Sequence, residues 1–440
     1  MTRHRIVLLC LGLLIVASTL AISRLGDLGV RTRPLLLLWG AAHAAYVAAA
    51  WWVLRRGAAR SSALPIILGA GLLARAVLLP SAPTLSEDVY RYLWDGRLVA
   101  HGVNPYPHAP SDPALAHLRN GLIPRLNHAE VPTIYPPAAQ ALFAAAASIS
   151  ETPLAWKVTL LSLETLLVLA LLLLLRARAV PEDRLLLYYW NPLVLVESFG
   201  SGHVDLTAAA FLVPSLLLYE RRRNARAGIL FALAVLTKFI PGLLIPWFLR
   251  RRAWILLAAG LVTSAIFYAP FLSAGSALTT GLRVYARHWE FNSAAYHLLR
   301  ELLTSEITIR RILAGAGVAA ALGIAWRART ATGAAFACLT SFLLLSPTVF
   351  PWYVVPVVAL LPLHPDWGMI SFSGLIALSY LPLPAYRETG VWSLPGWILW
   401  VEYGGLFAVW AAAALGARAR VGQREHAHVE ESEEVQDEEG

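Results

Sequence analysis

The stretch "PLAWKVTLLSLETLLVLALLLLL", Pro153 to Leu175, decides the fold class. At 1.5 Å per residue its length crosses the hydrocarbon core of a bilayer as one helix. Apolar runs near this length recur from end to end of the 440 residues. The hydrophobic fraction is 58% and charged residues make up 14%, with a mean hydropathy of +0.60. That balance excludes a set of soluble domains. The runs do not alternate in short segments, which excludes a membrane β-barrel. The expected fold is all-α and polytopic, with about 13–14 crossings.

The net charge of +9 is topology information. The arginines cluster at helix ends, as cytoplasmic loops require, and no nucleic-acid partner is expected. Cys10 and Cys338 lie inside apolar runs and suggest no disulfide framework. The first run, Ile6 to Ile22 after Arg3 and Arg5, is expected to be an uncleaved anchor.

Spans are expected at about 6–23, 34–54 and 63–79, with Arg55, Arg56 and Arg60 on the cytoplasmic side. Segment 80–152 then becomes an external loop too long to be a mere connector, with "YPPAAQALFAAAASI" (Tyr135 to Ile149) as a helix at the outer interface. Further spans follow at about 153–175, 185–199 and 204–219. "AGILFALAVLTKFIPGLLIPWFLRRR", Ala227 to Arg252, carries arginines at both ends. It reads as a bent hairpin with Lys238 near its vertex. Spans at about 253–272, 312–326, 331–347, 352–363, 367–383 and 396–416 complete the core. The organisation is thus 1–79 as N-terminal helices, 80–152 as the external loop, 153–416 as the core with a second external loop at 273–308, and 417–440 as a glutamate-rich disordered cytoplasmic tail.

Between the greasy runs lies "SEDVYRYLWDGRLVAHGVNPY", Ser86 to Tyr106. On a helix Asp88, Arg91 and Asp95 share one face. Tyr90, Leu93, Trp94 and Leu98 form another, suited to the membrane interface. The charged face is either a salt-bridge ladder or the start of a site. Lys238 in a membrane hairpin is costly without a partner or water. It either snorkels or serves the chemistry. Arg75, close to the end of its span, is expected to snorkel.

"EDVYRYLWDG", "GVNPY" and "IYPP" resemble segments of GT-C glycosyltransferases that use polyprenyl-phosphate sugars, in their bacterial mannosyltransferase-like GT87 branch. "NPLVLVESFGSGHVDL", "HWEFNSAAYHLL" and "SPTVFPWYVVP" follow in the family's order. The resemblance covers roughly residues 80 to 365. It departs from the family in having three spans before the first large loop, where the core module usually has one.

The resemblance implies a multi-pass cell-membrane enzyme, in a bacterial inner or plasma membrane, with its site on the extracytoplasmic face. It would move a hexose, by weight of family mannose, with glucose and arabinose as alternatives. The donor would be a polyprenyl-phosphate sugar and the acceptor a lipid or glycan. It implies a catalytic base in the first external loop, which maps onto Asp88 with Glu87 second. A single inverting displacement needs one carboxylate to deprotonate the acceptor and positive charge for the departing phosphate. Lys238 is the candidate for the second role. His203 and Asp205 either contact phosphate or sugar or cap a turn. Arg91 and Tyr135 belong to the motif region, and Arg287, His288, Glu290 and Asn292 are candidate acceptor or sugar contacts. Pro351, Trp352 and Tyr353 are expected to wall the cleft. No metal or cofactor is implied: the acids and histidines lack tight ligand spacing. The competing reading is a transporter or flippase, which would place its substrate in broken helices at the midplane.

Overall fold

The computed structural model describes residues 2–56 and 63–416. Arg60 and the acidic tail 417–440 lie outside the described residues. The described chain is helical; its one β feature is an isolated bridge between Phe291 and Thr348. Seven helices are long and apolar enough to cross a membrane, and five shorter apolar helices accompany them. The protein is a polytopic helical membrane protein.

Three helices come first: α1 (Arg3–Arg24), α2 (Thr32–Arg56) and α3 (Leu64–Leu78). Helix α1 packs on both α2 and α3, and α2 and α3 each pack on the core. Arg75 of α3 is fully buried and forms a bidentate pair with Glu164, at 2.6 and 2.7 Å. Its remaining donors reach the carbonyls of Gly71 and Tyr189, and the Tyr188 hydroxyl donates to Glu164 at 2.6 Å. The expectation that Arg75 snorkels is therefore corrected. A carboxylate within the next span gives the guanidinium a planar partner that the lipid interface does not.

Helix α4 (Asp88–Ala100) and α5 (Pro137–Ile149) pack side by side. Gly96 makes this possible, since a Cβ there would lie 2.3 Å from the Phe143 carbonyl oxygen. Trp94 and Leu98 are buried against Leu115 and Leu118 of the same loop, while Leu93 enters the main core. The greasy face expected at the membrane interface is thus covered by protein. The loop is long enough to fold back on its own helix. Helix α6 (Pro153–Ala177) starts with the Thr152 side chain accepting from the Ala155 N–H and Pro153 in its first turn.

The segment expected as one span at 185–199 is broken. It runs as short helical turns and then a π-helix, Leu195–Ser201, closed by Gly202 in the left-handed conformation (φ 82°). Asp205–Glu220 follows as a helix. The hairpin has the expected break. Asn224–Thr237 ends at Lys238, whose backbone is extended (φ −155°, ψ 127°), and Ile240–Leu244 resumes as a 3-10 turn.

Removing one partner of a buried ion pair strands the other, at a cost of about 3–5 kcal/mol. Glu164→Ala should therefore lower the thermal midpoint of the detergent-solubilised protein sharply. The paired substitution Arg75→Met with Glu164→Leu should lose much less. Equal losses in the two would contradict a coupled pair.

Candidate active site

The N-terminal end of α4, the Lys238 break and the Pro351–Val354 turn meet around one cavity of about 740 Å³. Asp88, Glu87, Arg91, Tyr135 and Lys238 line it, as do Glu290, Trp352 and Tyr353. Its other end is apolar. Leu313, Gly317 and Ala321 share one face of the helix Glu306–Arg327, opposite Cys338, Phe342 and Leu345 of Ala331–Leu345. The cavity is therefore amphiphilic, with charges at one end and a greasy slot at the other.

Asp88 opens α4, where the helix dipole favours an anion. Its side chain is 24% exposed, and its Oδ2 lies 3.5 Å from the Tyr92 hydroxyl. Burial pushes the carboxyl up to about 6. The Asp205 and Glu87 charges add to the rise, while the Lys238 ammonium and the Tyr92 hydroxyl oppose it. Asp88 does not join a ladder with Arg91. The Arg91 Nε donates instead to Asp95 Oδ1 at 2.9 Å, and its Nη2 is buried without a hydrogen-bond partner. The Asp95 Oδ2 accepts from Gln140 at 3.3 Å.

Lys238 does not snorkel. Its Nζ sits 2.6 Å from Asp205 Oδ1 and 3.9 Å from the Tyr353 ring centroid. The Tyr353 and Tyr285 hydroxyls are 2.5 Å apart. His203 and Asp205 lie just behind the cavity lining. The His203 ring stacks on Trp352 at 3.6 Å with an 11° interplanar angle.

The second loop contributes less than its motif suggested. Glu290 lines the cavity and pairs with Arg300 at 2.9 Å. His288 is exposed and outside the lining, as is Arg287. Asn292 is buried away from the cavity, donating to Glu402 Oε2 at 2.7 Å. It joins the loop to the last helix, Gly396–Gly416. Sequence reasoning passed over Glu164, Glu197 and Glu402, all buried. The signal was available: an acid inside an apolar span is a functional or pairing residue by default. Among the described residues, no three or more His, Cys, Asp or Glu side chains are grouped to hold a metal ion.

The site is thus a set of charged groups converging on an amphiphilic cavity inside a helical membrane protein. A sequence model of one family, described as alpha-(1->6)-mannopyranosyltransferase, N-terminal domain, matches residues 9–254. That is more than half of the 440 residues. The chain belongs to this family and is a membrane-embedded glycosyltransferase, taking a sugar donor and a glycan or lipid acceptor. No curated protein matches the chain. The matched stretch contains Asp88, His203, Asp205 and Lys238, and family membership replaces the transporter reading.

Ionisation of Asp88 is expected to centre near pH 6. Because the Lys238 charge holds that value down, Lys238→Met should move it to higher pH. Difference infrared titration of the carboxylate band, referenced to Asp88→Asn, measures both. A midpoint near pH 4, unmoved in Lys238→Met, would contradict the burial and the coupling.

Proposed function

We propose that the protein transfers a mannosyl residue from a polyprenyl-phosphate donor to a lipid or glycan acceptor, as a GT-C enzyme of the polyprenyl-phosphate-dependent branch. The observation that carries this reading is the amphiphilic cavity. Its charged end suits a sugar phosphate, and the slot between Glu306–Arg327 and Ala331–Leu345 suits an isoprenoid chain. Arginine placement supports an extracytoplasmic site in the cell membrane. On that view 80–152 is a catalytic loop, 153–416 the core that holds donor and acceptor, and 1–79 a buttress.

Asp88 is the base. In an inverting displacement it takes the proton of the acceptor hydroxyl while that oxygen attacks the anomeric carbon from the face opposite the phosphate. One carboxylate suffices, and a covalent nucleophile is not required. Glu87 at the same rim is a second acid of lesser importance. Lys238 neutralises the phosphate as it leaves. Arg91, which lines the same cavity, adds positive charge near that phosphate. Trp352, Tyr353 and Tyr135 wall the sugar end, and Glu290 stands at the acceptor side. Transfer proceeds without a bound metal, because side-chain cations meet the phosphate charge.

Membranes containing the protein, given radiolabelled polyprenyl-phosphate mannose, should form labelled glycolipid or glycan. Polyprenyl-phosphate glucose and arabinose should serve poorly. Lys238→Ala should weaken donor binding and turnover together, since ground state and transition state both carry phosphate charge. Lys238→Arg should recover part of each, keeping the charge but not its point geometry. Transfer from nucleotide-linked mannose in membranes depleted of polyprenyl phosphate would overturn the donor assignment.

A further inference from the structure

Behind Asp88 stand an imidazole and a second carboxylate that the transfer step above does not use. Glu197 is fully buried in the π-helix Leu195–Ser201. Its Oε1 accepts from the Tyr380 hydroxyl at 2.9 Å. Its Oε2 has no hydrogen-bond partner and lies 3.5 Å from His203 Nε2. On the other side of the ring, His203 Nδ1 lies 3.7 Å from Asp88 Oδ2. Neither ring nitrogen is hydrogen-bonded, and His203 is 1% exposed. The three groups stand in a row, Glu197–His203–Asp88, leading from the protein interior to the cavity.

This row is built into the backbone. A π-helix is a rare departure that recurs at functional sites. Here the His203 N–H donates to the Glu197 carbonyl at 2.9 Å, and left-handed Gly202 turns the chain between them. The stack on Trp352 fixes the ring plane, so both nitrogens keep facing acids. Packing alone does not account for a histidine here. An apolar ring would stack equally well without burying two unpaired nitrogens, each of which costs free energy. Lys238 and Asp205 flank the row but are occupied with each other.

Both contacts are longer than a hydrogen bond, at 3.7 Å to Asp88 and 3.5 Å to Glu197, so each ring nitrogen stands beside an acid without being engaged by it.

We propose that His203 and Glu197 form a proton relay serving Asp88, an assignment that rests on Asp88 being the base. In the transfer step the bond from the anomeric carbon to the phosphate oxygen breaks, and its electron pair leaves on that oxygen. The acceptor oxygen bonds to the anomeric carbon. Its proton passes to Asp88 Oδ2 and on to His203 Nδ1, and the imidazolium so formed rests between Asp88 and Glu197. The contacts on both sides of the ring shorten as the charge develops, as catalytic hydrogen bonds do on reaching the transition state. Water entering as product leaves returns the proton to solvent through Asp88. His203 and Glu197 are positioning residues, since neither touches the substrate.

The test is steady-state transfer from polyprenyl-phosphate mannose by His203→Gln and His203→Ala, beside Asp88→Asn. His203→Gln should lower kcat by about a hundredfold, the lower end of the range for proton transfer, with the donor KM unchanged. Imidazole should restore turnover to His203→Ala. Pyrazole, of the same shape but a far weaker base, should not. Wild-type turnover in His203→Gln, equal rescue by pyrazole, or no rescue by imidazole overturns the relay. So does loss of donor binding in both His203 variants, which would make His203 a packing residue. If Asp88→Asn is inactive while His203→Gln is not, the base stands and only the relay falls. If Asp88→Asn is active, both fall.

Discussion

One ammonium group, that of Lys238, sits among buried acids where little water reaches, and the site depends on how its charge is shared. Its direct contact, at 2.6 Å, is with Asp205. That contact leaves Asp88 held only at longer range, and burial then dominates its ionisation. An exposed aspartate is too weak a base for a hydroxyl near neutral pH, whereas one near 6 is better matched. The arrangement therefore divides two otherwise similar acids. Asp205 fixes the cation, and Asp88 stays free to exchange a proton. The extended backbone at Lys238 serves the same end, since it breaks the helix and turns the side chain into the cavity.

The rest of the fold holds these groups in place. Gly96 lets α4 close on α5, which fixes the helix whose first residue is Asp88. The Arg75–Glu164 pair ties α3, and through it the N-terminal helices, to α6. The Asn292–Glu402 bond ties the second loop to the last helix. The family match ends at residue 254, yet the apolar slot is built from residues 306–345. The charged end and the greasy end of the cavity therefore come from different parts of the chain.

Length and hydropathy make the long spans legible, though not the break within 185–199, and the lone lysine in an apolar hairpin points to Lys238. Asp88 stands out as an acid at the start of a short amphipathic segment in so apolar a chain, but periodicity alone leaves a salt-bridge ladder open, and only the resemblance singles it out. What stayed hidden were pairings across sequence distance. Periodicity placed Asp88, Arg91 and Asp95 on one face, but only tertiary packing decides that Arg91 chooses Asp95. The face of Trp94 and Leu98 looked lipid-facing because the segment that covers it, around Leu115 and Leu118, is itself irregular. Glu164 and Glu197 lie inside apolar runs, where each acid is the sign of a buried partner, Arg75 for the first and Tyr380 for the second. Asn292, a candidate acceptor or sugar contact, instead braces the loop against Glu402, a pairing across 110 residues that no local pattern shows.

The central claim is that Asp88, and not its neighbour Glu87, accepts the acceptor's proton. Single-turnover transfer with saturating polyprenyl-phosphate mannose measures that step apart from donor binding and product release. Asp88→Asn keeps the side-chain shape and removes its basicity. The rate should fall by at least about a hundredfold with donor affinity retained, and Glu87→Gln should lose far less. A near-native rate in Asp88→Asn, or an inactive Glu87→Gln beside it, would contradict the account.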